Sequence, residues 1–402
     1  MKIFRGFNHP GREPACAVTI GNFDGVHRGH QAMLALLSAE AAQRGVPTCV
    51  LTFEPHPRDY FAQALGRPEI APARIGTLRD KLSELQRCGV DQTVVLPFNR
   101  ALASQAPQAF IDEVLVAGLG AKYVLVGDDF RFGAQRAGDY AMLDAAGQRQ
   151  GFDVARMNSY EVHGLRVSST HVRCALAEGR MQDAARLLGH PYTISGHVVH
   201  GRKLGRSLAE SRQGAGDGFR TLNLRFNHWK PAASGIFAVL VHGLHERPLR
   251  GVANLGVRPS LDPTDVNGGR VLLETHCLDW PGAPGGEEAY GKIIRVELLH
   301  KLHDELKYDS LDALTAGIAK DCDDARAFFA TIHTPIYTET RRQTRATEFD
   351  DLRHLPGRGC APGFLPFFPC LDQTVRALAC FQGSPCLIRK SLPTPMRAIA
   401  PR

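Results

Sequence analysis

The stretch VTIGNFDGVHRGHQAML, Val18 to Leu34, constrains this fold more than any other part of the chain. Its β-branched start reads as a buried strand, Gly21, Asn22, Phe23, Asp24 and Gly25 read as a turn, and a helical pattern follows whose first turn holds His27, Gly29 and His30. The helix N-terminus presents unpaired backbone N–H groups and the positive end of its dipole, which suits a phosphate. His27 and His30, three apart, share one face of that turn and can reach the same anion. Gly25 and Gly29 leave room for a ligand to approach the backbone. A βα turn carrying two surface histidines is the plain alternative, and an HxxH pair alone does not separate the two.

The pattern around this stretch predicts a layered α/β half. Ala17 to Ile20, Thr48 to Phe53, Thr93 to Leu96, Tyr123 to Val126 and Val154 to Met157 read as strands. Gly29 to Arg44, Thr77 to Cys88, Pro107 to Leu119, Tyr140 to Gln150 and Val172 to Leu188 read as helical. Such alternation implies a doubly wound parallel sheet whose ligand crevice lies outside the C-terminal strand ends. Near Leu188 the pattern turns β-rich, with short apolar runs at Val198 to Val199, Ile236 to Val241, Gly251 to Leu255, Val271 to Cys277 and Ile293 to Leu298. Gly and Pro between them predict a small antiparallel barrel, closed by a helix that Ser310 caps. The fold class is therefore α/β plus β: a Rossmann-like parallel sheet, an antiparallel β-barrel and a C-terminal helix.

Composition excludes several functions. At 402 residues and 44% hydrophobic content the chain can bury two or three cores, yet no apolar run reaches membrane-spanning length. The N-terminus lacks the apolar core of a signal peptide, so the expected location is cytoplasmic, with no membrane partner. Ten scattered cysteines show neither CxxC nor Cys/His ligand spacing. The last 62 residues hold ten Lys/Arg against four Asp/Glu, leaving about +1 of the formal +7 for the other 340. A neutral body with a basic tail argues against a nucleic-acid partner.

The string GNFDGVHRGH resembles the signature of the nucleotidyltransferase superfamily, in the form used by bacterial bifunctional riboflavin kinase/FAD synthetases. LTFEPHP (Leu51 to Pro57), VGDDFRFG (Val126 to Gly133) and SSTHVR (Ser168 to Arg173) match that family in the same order. From the residues alone, Asp128 and Asp129 either hold Mg2+ or start a turn, and Phe130 and Phe132 either line a flat ligand or pack in the core. Ser168, Ser169 and Thr170 can cap a helix, while Arg173 one turn in adds a phosphate clamp. The resemblance implies attack by FMN on the α-phosphorus of ATP, giving FAD and pyrophosphate. It implies that Gly21, Asn22, Phe23, Asp24, Gly25, His27, Gly29, His30, Ser168, Ser169, Thr170 and Arg173 surround the nucleotide phosphates. It also implies a metal at Asp129 and a flavin pocket near Phe53, Pro55 and Phe130.

The β-rich half resembles the riboflavin kinase domain of the same family. The glycine pattern lies in GHVVHGRKLGRS, giving Gly196, Gly201, Lys203 and Gly205 as ATP contacts; it is not a P-loop, because Arg202 and Lys203 occupy the Lys and Ser/Thr places. FRTLN matches the family's PTAN, and Thr221 and Asn223, two apart on a strand, can share Mg2+ with ATP. GVRPS places Arg258 and Pro259 beside the flavin, and Glu274 in LLETHCLD takes the place of the general base. Two departures weaken the kinase expectation: AESRQGAGDG, Ala209 to Gly218, is an insertion followed by Arg220 for proline, and His303 replaces the usual arginine. An FMN adenylyltransferase with an impaired kinase half, and more remotely a non-catalytic flavin or nucleotide-binding regulator, are the rival expectations. The expected division is residues 1–186, 187–335 and a basic, Pro-rich tail at 336–402 whose composition predicts disorder. Riboflavin, FMN and ATP are the small-molecule partners; no oligomeric state is assigned.

Overall fold

A computed structural model describes residues 1–7, 9–158, 160–162, 165–200, 221–226, 230–257, 271–280 and 289–332. The first part is a six-stranded sheet of β1 (Lys2–Arg5), β2 (Cys16–Ile20), β3 (Thr48–Glu54), β4 (Gln92–Pro97), β5 (Ala121–Gly127) and β6 (Asp153–Met157). The spatial order is β1-β4-β3-β2-β5-β6, and every neighbouring pair runs parallel. All five residues of CAVTI in β2 are buried, as expected of a central strand covered on both faces.

Helices α1 (Arg28–Arg44), α2 (Pro57–Ala64), α3 (Leu78–Arg87), α4 (Arg100–Ala103), α5 (Pro107–Ala109) and α6 (Tyr140–Gln150) connect the strands; α5 runs on into a wider π-type winding over Phe110–Gly118. The chain passes from β2 through β3 to β4 on one side, then returns to lay β5 and β6 on the other. That reversal opens a crevice beyond the end of β2, and the loops after β2, β3 and β5 surround it. Two features escape periodicity. KIFR of β1 has one buried side chain in four residues, too few for a pattern. The helical run ending at Leu188 is two helices, α7 (Ser169–Ala177) and α8 (Met181–Leu188), broken at Gly179 with φ +73°. A hairpin of β7 (Glu161–Val162) and β8 (Leu165–Arg166) leads into α7.

The second part is a closed barrel of β9 (Tyr192–Val199), β10 (Leu222–Arg225), β11 (Gly235–His242), β12 (Leu249–Val257), β13 (Val271–Cys277) and β14 (Ile293–His303), ordered β10-β13-β12-β11-β14-β9 with antiparallel neighbours throughout. VLLETHC of β13 alternates buried and half-buried along its length, the period-2 signature of a strand with one apolar face. Leu224, Phe237, Leu255 and Leu273 fill the inside, in one cluster with Val172, Leu176 and Leu188 of the α7–α8 region. The outer side chains Ala238, Leu240 and Val252 are covered by Cys322, Ala325 and Phe329 of α9 (Leu311–Thr331). Ser310 Oγ accepts from Ala313 N at 3.1 Å, the predicted N-cap.

Sheet and barrel belong to one compact unit. Arg74 N donates to Lys230 O at 3.0 Å and Ala232 N donates to Arg74 O at 3.2 Å; Ser195 N donates to Asp80 Oδ1 at 3.0 Å, and the Ser195 hydroxyl bonds the same oxygen. The 209–218 insertion, Arg220 and the 336–402 tail lie outside the described residues.

Candidate active sites

The first constellation forms where β2 turns into α1. Phe23 (φ +48°) and Val26 (φ +38°) adopt left-handed backbone, which is sterically unfavourable, most of all for a β-branched residue. Both side chains are fully buried, and that packing holds the turn in place. Between them Gly25 (φ +82°) tolerates no side chain, since a Cβ would stand 2.8 Å from Ile75 Cγ2. The turn delivers His27 as N-cap of α1, its Nδ1 accepting from His30 N at 3.3 Å.

The two imidazoles stack with centroids 3.7 Å apart and planes 15° from parallel. Burial pushes His27 down to about 4, against the pull of Asp24, and burial followed by the neighbouring His27 and Lys81 pushes His30 well below the ordinary histidine range. Both rings are therefore neutral near pH 7. Because His27 Nδ1 is an acceptor, its proton sits on Nε2, so this ring offers an N–H donor without a formal charge. His30 Nδ1 is buried with no hydrogen-bond partner among the described residues.

Asp24, only 3% exposed, faces inward. It accepts from Ile75 N at 3.2 Å and from Arg173 Nη2 at 2.5 Å, while Arg173 Nε donates to Ala73 O at 2.6 Å. Ser169 Oγ donates to Asp24 O at 3.0 Å. The first and fourth motifs thus meet through Asp24, 149 positions from Arg173 in sequence. Ser168 caps α7, accepting from His171 N at 3.3 Å, and its hydroxyl also meets the His171 ring; Thr170 is exposed. On the far side of the crevice Asp129 is exposed, Phe132 is core, and Phe130 stacks on it at 5.5 Å. Half-buried Phe53 meets Phe98 edge-on at 5.8 Å, next to exposed Pro55.

Three residues join this site that the sequence did not single out. His56 caps α2 through Nδ1, 3.1 Å from Arg58 N, and burial followed by the charge of Arg74 lowers it to about 3. Arg74 is buried against Asp59 (2.8 Å), Glu54 (3.4 Å) and Asp24 (3.9 Å). Lys81 donates to Thr52 Oγ1 at 3.3 Å, and that hydroxyl donates to Asn22 O at 3.4 Å. Burial, then Arg74, draws this lysine down to about 8. Lys81 lies within the expected helical run Thr77 to Cys88 and Arg74 ahead of it, with no motif around either; only packing reveals them. His56 lies inside LTFEPHP, so its motif is the one signal that points to it.

The second constellation crosses the barrel wall. Glu274 on β13 pairs with Asn223 on β10 and with Asn254 on β12. Asn223 is 3% exposed; its Nδ2 donates to Thr221 O at 3.1 Å and its Oδ1 is buried without a partner among the described residues. Gly196 on β9 lies against Leu224, while Gly201, Lys203, Gly205, Arg258 and Pro259 fall outside the described residues. His303 makes contacts of its own: Nε2 meets Asp321 Oδ1 of α9 at 2.7 Å, and Nδ1 lies 2.7 Å from Asp304 O. Burial alone lowers its pKa, but these two partners outweigh burial and raise it.

A strained βα loop on a parallel sheet, of the kind that suits a phosphate, is joined to a barrel that carries a carboxylate between two amides, the arrangement expected of a nucleotide-dependent transferase in two parts. The FAD synthetase family model matches residues 9–171, and the riboflavin kinase family model matches residues 188–329. A bifunctional riboflavin kinase/FMN adenylyltransferase of Escherichia coli (strain K12) is 44% identical over 331 residues, covering 82% of this chain and 98% of the relative. One from Haemophilus influenzae is 41% identical over 330 residues, covering 82% and 99%. The chain belongs to the bifunctional riboflavin kinase/FMN adenylyltransferase family. A crystal structure described as a macrolide-efflux protein from Streptococcus pneumoniae also superposes, with TM-score 0.60, 25% identity and coverage of 81% of this chain and 98% of that one. No described helix here is long and apolar enough to cross a membrane.

Proposed function

We propose that the chain is a bifunctional flavin transferase: it phosphorylates riboflavin to FMN with ATP, and adenylylates FMN to FAD with release of pyrophosphate. The observation that carries this reading is the tandem match of two family models, the first over the constellation after β2 as far as residue 171 and the second over the barrel. The riboflavin kinase match runs through the barrel, which supports turnover in both halves over adenylylation alone. We assign residues 1–186 to adenylylation and 187–335 to phosphorylation.

In the first half, the α1 N-terminus and the His27 Nε2–H face the ATP phosphates, with His30 beside them. As pyrophosphate leaves, negative charge grows on the departing oxygens, and donors already in place stabilise it without reorganising. Asp24 holds Arg173 and the motif loop in one arrangement. Asp129 is the metal-side carboxylate, and Phe53, Pro55 and Phe130 form the flavin side.

In the second half, Glu274 takes the proton of the flavin's terminal alcohol as that alcohol's oxygen attacks the γ-phosphorus of ATP and the bond to the departing ADP breaks. The oxygen-rich set of Thr221 and Asn223, with an unpartnered buried amide oxygen, fits Mg2+. Mg2+ bound there supplies neutralisation of phosphate charge. Gly201, Lys203, Gly205, Arg258 and Pro259 complete the nucleotide and flavin contacts in this proposal.

Chromatography of flavins after incubation with MgATP and either riboflavin or FMN tests the assignment. FAD from both substrates is the expected result. FAD from FMN alone would remove the kinase half, and FAD from neither would overturn the proposal.

A further inference from the structure

Asn254 has no role in the chemistry above, yet the strand register sets it in line with Asn223 and Glu274. Residues directly opposite on neighbouring strands point to the same side of a sheet. The row therefore stands on the outer face, since the alternate positions Leu222, Leu224, Leu255 and Leu273 fill the inside. Asn254 Oδ1, like Asn223 Oδ1, is buried with no hydrogen-bond partner among the described residues. Buried amide oxygens in a folded chain are normally satisfied, so two of them flanking one carboxylate point to a ligand on both sides of it.

Spacing separates the two sides. Adjacent strands lie about 4.8 Å apart, which puts the Cα atoms of the two asparagines roughly 10 Å from each other with Glu274 between them, and side chains on the convex outside of a barrel diverge. Mg2+ binds its oxygens at about 2.1 Å, so one ion does not take both amides directly. Asn223, joined to Thr221, belongs to the nucleotide side. Asn254 is left to the other reactant, the alcohol.

We propose that Asn254 accepts a hydrogen bond from a hydroxyl of the acceptor's polyol chain and so holds the terminal alcohol against Glu274. This assignment rests on the kinase reading above and adds to it the residue that recognises the chain rather than the ring of the flavin.

The test compares riboflavin with lumiflavin, which has the same ring system and a methyl group in place of the polyol. In the full chain, Asn254→Ala is expected to raise the riboflavin KM for FMN formation about tenfold, the effect of losing one buried hydrogen bond. It should leave unchanged both the inhibition constant of lumiflavin against riboflavin and the calorimetric affinity for MgATP. Asn254→Val, which suits a strand and likewise lacks the oxygen, gives the same readout should the alanine variant fail to fold. An unchanged riboflavin KM overturns the proposal, as does equal weakening of both flavins or a loss confined to MgATP. A wild-type chain that makes no FMN would instead remove the kinase reading itself.

Discussion

The two constellations are built from opposite materials. Beyond the end of the central strand β2, Asp24, Arg74, Arg173 and Lys81 are packed largely out of water around two neutral histidines, and the network ties distant motifs together. On the barrel, uncharged amides flank one carboxylate, and the register of three strands does the placing. A buried ionic network holds loops that have no regular hydrogen-bond ladder; a barrel wall already supplies one, so neutral groups suffice there. Ion networks fail when one member is removed, because the others stay buried and unpaired. Amide rows fail locally.

The sharpest way to break this comparison is to disable each half alone. Glu274→Ala is expected to lower FMN formation from riboflavin by about 10²-fold or more while FMN-to-FAD conversion continues, and His30→Ala to do the reverse. Initial rates on separate substrates check this. Loss of both activities in either folded variant would mean that the halves do not act as two sites.

Next in size is the network itself. Asp24→Ala leaves Arg173 and the buried Arg74 without their shared carboxylate. A destabilisation of about 3–5 kcal/mol is expected, read from denaturant unfolding. A change below about 1 kcal/mol would show that the network does not organise the loop.

Acid should then separate the halves. His27 titrates at about 4 in the folded chain and at 6.5 ordinarily, so between those values the unfolded chain binds a proton that the native chain refuses. Stability is full above about pH 6.5 and falls as pH drops towards 4, by up to about 3 kcal/mol for this residue. His27→Gln should make that part of the profile shallower, leaving the fall due to His30 and His56, measured as unfolding midpoint against pH. A parallel profile in the variant would remove His27 as the cause.

The smallest effect has the opposite sign. His303 has a raised pKa, so its contribution is present below the ordinary value of 6.5 and is lost as pH rises through the folded value. His303→Gln should lower the melting temperature slightly at acidic pH, with the difference vanishing under alkaline conditions. A pH-independent difference would mean that the Asp321 contact acts through packing alone.

Much of this architecture is legible in the order of residues. The GNFDGVHRGH string specifies a strand, a turn and a helix start because those residue types permit little else: Gly25 where no side chain fits, a histidine at the cap, and an apolar helix face behind it. Alternation of short apolar runs with helical segments is enough for the parallel sheet, and VLLETHC displays its strand period openly. Local chemistry also marks Ser310 as a cap. Elements too short to repeat, such as KIFR, leave no such trace.

Sequence by itself determined the order of the long elements, the motif loops and the family to which they belong, because each depends on residues near one another in the chain. Tertiary structure alone decided which charges are buried and what they meet. Arg173 reaching Asp24, Lys81 set beneath Thr52, His303 joined to Asp321 and Asn254 aligned with Glu274 are contacts between distant segments. Their protonation and pairing depend on burial and on strand register, and both arise only when the sheet is stacked and the barrel is closed.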